Sequence, residues 1–186
     1  KFLHSKALSY NRSGIRIRIA SLQDGGISGT IINGEALDLI VEQSPDPVTM
    51  VTIIGEKALD AEQIRQIMMS VNDVDGRILS LTLDSKSTVL YVTHGTNLAD
   101  ILHRLVMKYK MGKALSFFEN LRMVIVKGPA LETAPGLIQR VTQPLARKNI
   151  NVFGLVTISS SIRILVSKDN ADAAVTLLRS ALLALK

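Results

Sequence analysis

Apolar and polar positions follow two periods along this chain, and the switches between them divide it into elements. From Gly14 to Ala20, Ile15, Ile17 and Ile19 alternate with Arg16 and Arg18, the pattern of a half-buried strand. Gly25-Gly26 and Ser28-Gly29 predict a loop, Thr30-Ile31-Ile32 a short strand, and Ala36–Val41 a further strand. Two prolines in Ser44-Pro45-Asp46-Pro47 forbid helix and interrupt a ladder, which marks a linker. Val48–Ile54 is a β-branched strand ending at Gly55. The helix after it places Ala61, Ile64, Ile67, Met68 and Val71 on one face, and Met68 and Met69 read as core filler rather than a binding stripe. Asp73–Gly76 stops that helix. Arg77–Leu83 and Thr88–Thr93 read as strands joined by a turn near Asp84-Ser85-Lys86. Asn97 then caps a helix with Leu98, Ile101, Leu102, Leu105, Val106 and Tyr109 inward, Gly112 ends it, and Ala114–Phe118 is one more strand.

The second half repeats the order. A strand over Leu121–Gly128 leads through a loop to a helix opening at Pro135-Gly136, where proline is tolerated because its missing N–H has no partner in the first turn anyway. Pro144, inside this helix, is expected to bend it or free a carbonyl. Asn149-Ile150-Asn151-Val152 opens the next strand, Ser159-Ser160-Ser161 divides two β-rich runs, and the last helix carries Ala171, Ala174, Val175, Leu178, Leu182 and Leu185. Met123-Val124 through Ala130-Leu131-Glu132 echoes Met50-Val51 through Ala58-Leu59-Asp60, so the chain holds two copies of one unit. Each reads βαββαβ, an α+β, ferredoxin-like sandwich of an antiparallel sheet with helices on one face. The first unit, 44–119, has all six elements, whereas the second lacks a fourth strand. The unassigned strand at 36–42 supplies it if the first unit is inserted in the second, which then comprises 35–43 plus 120–186, with 1–34 outside both.

Composition narrows the function. A chain of 186 residues with 47% hydrophobic residues and a mean hydropathy of +0.26 can bury a core in one domain or two small ones. No apolar run approaches the ~20 residues of a membrane span, and no signal peptide is visible. The absence of cysteine excludes disulfides and thiolate metal sites and suits a cytoplasmic protein. A start at Lys1 rather than Met suggests a fragment, a processed form, or a product whose first residues are not included. The net charge of +6 is scattered and aromatics are 4%, so a nucleic-acid surface of basic and stacking residues is not expected. No phosphate-binding glycine loop or nucleophile elbow occurs, and His4, His94 and His103 lack metal-ligand spacing. Catalytic residues, metals and cofactors are therefore not expected.

The candidate chemistry lies in the second unit. The free N–H groups at the helix start near Pro135-Gly136 attract a carboxylate. Gly128 would let a ligand approach the backbone, and the amide oxygens of Asn149 and Asn151 could accept from an ammonium group. Together these suit a free amino acid held by Gly128, Ala130, Leu131, Glu132, Ala134, Pro135, Gly136, Asn149, Ile150, Asn151 and Val152. An ordinary strand-to-helix turn with its own cap is the alternative. Glu132 and the matching Asp60 are either helix-terminal charges or partners for a cationic ligand side chain, which would favour lysine.

The ordered set of strand, Gly128, Thr133-Ala134-Pro135-Gly136, helix, Asn149-Ile150-Asn151-Val152 and Ile158-Ser159-Ser160-Ser161-Ile162 resembles the ACT domain. More narrowly, it resembles the tandem ACT pair at the C-terminus of aspartate kinases, with its S-x-P-G and S-T-S-E-I motifs. Lys1-Phe2-Leu3-His4-Ser5 resembles the K-V-L-H-P near the end of the kinase domain, and Ile15–Ile19 and Gly29-Thr30-Ile31-Ile32 resemble the strands that follow. The resemblance implies an inserted first unit, a regulatory module binding lysine or threonine, a homodimer through the ACT units, and a kinase-domain partner that makes aspartyl phosphate. Lys1 matches a lysine that contacts nucleotide in a complete kinase. The first unit lacks the Pro-Gly and the serine-rich turn, and Ser161 stands where the family has Glu. A stand-alone amino-acid sensor and a ligand-free dimerisation module are the other readings.

Overall fold

The computed structural model describes residues 17–20, 29–32, 39–93, 95, 97–128, 131 and 135–183. In chain order the elements are β1 (Ile17–Ala20), β2 (Gly29–Ile32), β3 (Ile40–Gln43), β4 (Val48–Ile54), α1 (Ala61–Asn72), β5 (Ile78–Leu83), β6 (Ser87–Thr93) and α2 (Leu98–Lys108). There follow β7 (Ala114–Lys127), α3 (Leu137–Arg147), β8 (Gly154–Ile158), β9 (Ser161–Ser167), a short 3-10 turn (Lys168–Asn170) and α4 (Ala171–Leu183). β1 and β2 form a separate hairpin with Ala20 opposite Gly29. The remaining seven strands form one antiparallel sheet, ordered β5-β6-β4-β7-β9-β8, with β3 also beside β7.

β7 organises the molecule. The sequence suggests two strands here, 114–118 and 121–128, but one strand of 14 residues runs through, with Asn120 at φ 59°. Its first half pairs with β4, from Ala114 opposite Ile54 to Leu121 opposite Val48. Its second half pairs with β9 on one edge and with β3 on the other. β7 is thus the fourth strand of one ferredoxin-like unit (β4-α1-β5-β6-α2-β7) and the first of the next (β7-α3-β8-β9-α4). β3, which precedes the first unit in sequence, completes the second sheet, so the first unit is inserted in the second. The joint at 44–47 is held by the Ser44 N–H on the Met123 carbonyl (2.8 Å) and by the Arg122 guanidinium on the Pro45 carbonyl.

Strand alternation sends one set of side chains under the helices and the other to the opposite face. Val51, Ile53, Leu90 and Val92 meet Ile67, Val71, Leu102 and Val106 in the first unit. Val41, Val124, Val126, Ile164 and Val166 meet Val141, Leu145, Ala174 and Leu178 in the second. A third cluster, Val48, Tyr91, Leu121, Met123 and Leu165, joins the two units on the helix-free face.

Several expectations change. Met68 and Met69 are 54% and 52% exposed, not core filler, because the sheet-facing stripe of α1 is only as wide as Ile64, Ile67 and Val71. Tyr109 is likewise exposed, just past the end of α2. Asn97 is the N-cap of α2 by position, but its side chain makes no capping bond. α3 starts at Leu137 with Gly136 as N-cap, so Pro135 lies before the helix rather than in its first turn. The helix continues through Pro144 to Arg147. β8 starts at Gly154 rather than at Asn149. The first residues of the strand at 14–20 and of that at 36–41 lie outside the described residues, as does His94, while His103 is exposed. Among the described residues no helix is long and apolar enough to cross a membrane.

Candidate functional site

At the N-terminal end of α3, β7 delivers the chain to Gly128, whose N–H donates to the Ser160 carbonyl (2.9 Å), and the Leu131 N–H donates back to the Gly128 carbonyl (3.1 Å). The glycine at 128 is needed for packing on Leu39. A Cβ there would lie 2.7 Å from Leu39 Cδ2, so the missing side chain admits the residue that leads into β3. Gly136 differs: it has φ 75° and open space where a Cβ would stand. It caps α3 without a side-chain bond, and helix geometry leaves the N–H groups of the first turn without partners inside the helix.

These N–H groups border a cleft of about 510 Å³. Leu131, Gly136, Leu137 and Ile138 form one wall, and Thr157, Ser159, Ser161 and Ile162 of the β8–β9 hairpin form the other. Ser159 turns the hairpin at φ 47°, and the Ser161 hydroxyl donates to the Ile158 carbonyl (2.8 Å). The hydroxyl wall was not among the candidates read from sequence. The serine run was visible there, but its place opposite the helix start depends on the register of β8 with β9, in which Ile158 faces Ser161.

The candidate residues separate into two groups. Gly128, Leu131, Pro135 and Gly136 lie at the start of α3, whereas Ala130, Glu132, Ala134 and Lys1 lie outside the described residues. Asn149, Ile150, Asn151 and Val152 follow the other end of the helix, about 16 Å away along an 11-residue helix. Asn149 (φ 54°) and Asn151 are exposed, Ile150 is buried in the second core, and Val152 packs against it. One chain therefore does not bring the asparagine amides and the helix start to one ligand.

The first unit has a related cleft of about 420 Å³ lined by Gly55, Glu56, Lys57, Ala58, Gln63 and Lys110–Lys113. Its helix start is closed. The Asp60 carboxylate accepts from the Gln63 N–H (2.9 Å), and the Gln63 side chain accepts from the Asp60 N–H (3.1 Å). Lys113 and Glu56 form an ion pair across this cleft at 2.6 Å. The ordinary self-capped turn is thus realised in the first unit, and Asp60 is its cap, while among the described residues no side chain caps the start of α3.

Residues 117–180, from mid-β7 into α4, match the model of the ACT domain family. The fold as a whole resembles the regulatory regions of aspartate kinases. The regulatory subunit of aspartate kinase from Thermus flavus superposes with a TM-score of 0.60 at 12% identity, covering 78% of this chain and 97% of that one. Aspartate kinase from Clostridium acetobutylicum, described as an allosteric enzyme, gives 0.68 at 16% identity over 92% of this chain and 42% of its own. E. coli aspartokinase III in complex with lysine and aspartate gives 0.57 at 18% identity over 90% and 39%. The chain thus spans nearly a whole regulatory subunit and about two fifths of the complete kinases. None of the curated protein sequences compared with the chain matches it.

Proposed function

We propose that the chain is the amino-acid-binding regulatory module of a cytoplasmic aspartate kinase, sensing an end product such as lysine or threonine and inhibiting the kinase in response. The observation that carries this reading is the start of α3 at the cleft, whose N-cap Gly136 has no side-chain cap and which no described side chain caps, set against the self-capped start of α1. The α-carboxylate meets the first-turn N–H groups near Gly136, and the hydroxyl wall completes its surroundings. Residues 44–119 form the structural first unit, 35–43 plus 120–186 the sensing unit, and 1–34 the end of the kinase domain, with Lys1 contacting nucleotide only in the complete kinase. Asn149 and Asn151 lie a helix length from Gly136, so in a homodimer of these units they act on the ligand held by the partner copy. Phosphotransfer belongs to the kinase domain, not to this chain.

The test is calorimetric titration of the chain with free amino acids, repeated on Gly136→Asp and Gly136→Asn. Both substitutions accept a left-handed backbone at a cost of about 1 kcal/mol, and only the first adds a negative charge at the carboxylate position. Binding is expected to fall more than roughly tenfold in Gly136→Asp and far less in Gly136→Asn. Undiminished affinity in a folded Gly136→Asp would remove the helix-start site.

A further inference from the structure

We infer that the amino acid taken by the second-unit cleft has a short uncharged side chain, hydroxylated or branched aliphatic, and not a cationic one. The inference rests on the functional reading above. The α-carboxylate and α-ammonium are common to all candidate ligands, and the Asn149 and Asn151 amides of a partner copy carry no charge, so the walls decide among side chains. Leu131, Leu137, Ile138 and Ile162 offer aliphatic surface, and Thr157, Ser159 and Ser161 offer hydroxyls. None of the described lining residues carries a carboxylate.

A cationic side chain brought against these walls loses water without gaining a counter-charge from the described lining residues. A chain of net charge +6 adds no general attraction for a cation. A ligand hydroxyl finds both donors and acceptors here, since the proton of Ser161 is already given to the Ile158 carbonyl and its oxygen is left to accept. A ligand methyl covers Ile138, which is 52% exposed. Glu132 is the only acid between Gly128 and Gly136, lies outside the described residues, and is therefore the control.

The experiment titrates the 186-residue chain calorimetrically with threonine, valine, isoleucine and lysine, and repeats the series on Thr157→Val and Glu132→Gln. Valine suits a strand position, and a thermal melt checks that the Thr157→Val chain folds. Threonine or a branched aliphatic ligand is expected to bind at least roughly tenfold tighter than lysine. Thr157→Val is expected to weaken threonine several-fold and leave valine unchanged, and Glu132→Gln to leave the order of ligands unchanged. Tighter binding of lysine, lost in Glu132→Gln, overturns the inference and leaves the amino-acid site standing. No binding of any of the four overturns the site itself.

Discussion

Tyr91 lies on β6 of the first unit, and its hydroxyl bonds to the second, donating to the Phe153 carbonyl at 3.2 Å. Beside it the Phe118 and Phe153 rings stack with centroids 4.3 Å apart. Gly154 follows because a Cβ there would run into the Tyr91 hydroxyl. Tyr91→Phe should cost about 1 kcal/mol in urea unfolding, the net worth of one such bond. Gly154→Ala should cost about 1–3 kcal/mol by overpacking, and less in the Tyr91→Phe background, where the hydroxyl is gone. Near-additive costs in that double-mutant cycle would place the clash on the ring carbon, 2.7 Å from the same position, rather than on the hydroxyl. Burial raises the Tyr91 phenol above its ordinary value. The unfolded chain ionises near pH ~10 while the folded chain keeps its proton, so this group's stabilisation is present below ~10 and lost as pH climbs toward the folded value. The alkaline loss of stability should be smaller in Tyr91→Phe.

α1 and α3 occupy equivalent places yet are built differently. α1 closes its own start with Asp60 and Gln63, whereas α3 opens on Gly136 and carries Pro144 in its interior. Proline lacks the N–H that would reach the Arg140 carbonyl, and Thr142 turns its hydroxyl back to the Ile138 carbonyl at 2.9 Å. Val141 and Leu145, both fully buried, hold the helix on the sheet in spite of this. Pro144→Ala should therefore stabilise the chain by about 1–3 kcal/mol in urea unfolding. An unchanged or lower midpoint would show that the helix has adapted its packing to the ring.

The insertion makes the second unit depend on residues that precede the first. Val41 is 4% exposed in the second core, Leu39 packs on Gly128, and Arg179 donates from Nε and Nη2 to the Val41 carbonyl at 3.1 and 3.0 Å. Removing residues 1–43 strips this strand from β7, exposes its edge and empties part of the core. The melting midpoint should fall by about 10 °C or more relative to the full chain. Removal of residues 1–34 alone should cost far less, since among the described residues β1 and β2 pair with each other and with no strand of the larger sheet. Two truncations that melt alike would show that β3 contributes nothing to the second unit.

The two βαββαβ units and the insertion were legible in the chain because side-chain period is local and a missing fourth strand can be counted. Val51, Ile53, Val124 and Val126 sit on the faces their alternation assigns. The continuity of β7 was not legible, since the alternation breaks between the two strand runs at 114–118 and 121–128 and only pairing with both β4 and β9 carries one strand through Asn120. The role of Gly128 depended on Leu39, some 90 residues earlier in the chain. The candidate site was half legible. Gly136 stood out as a helix start, but adjacency in a motif does not show which end of a helix a residue reaches. A helix that runs the length of its sheet sends Asn149–Val152 to the far end and leaves the near end to Thr157, Ser159 and Ser161, which the β8–β9 register brings back. Local patterning determined which faces are buried; the lengths and pairings of whole elements decided which distant residues share a cleft.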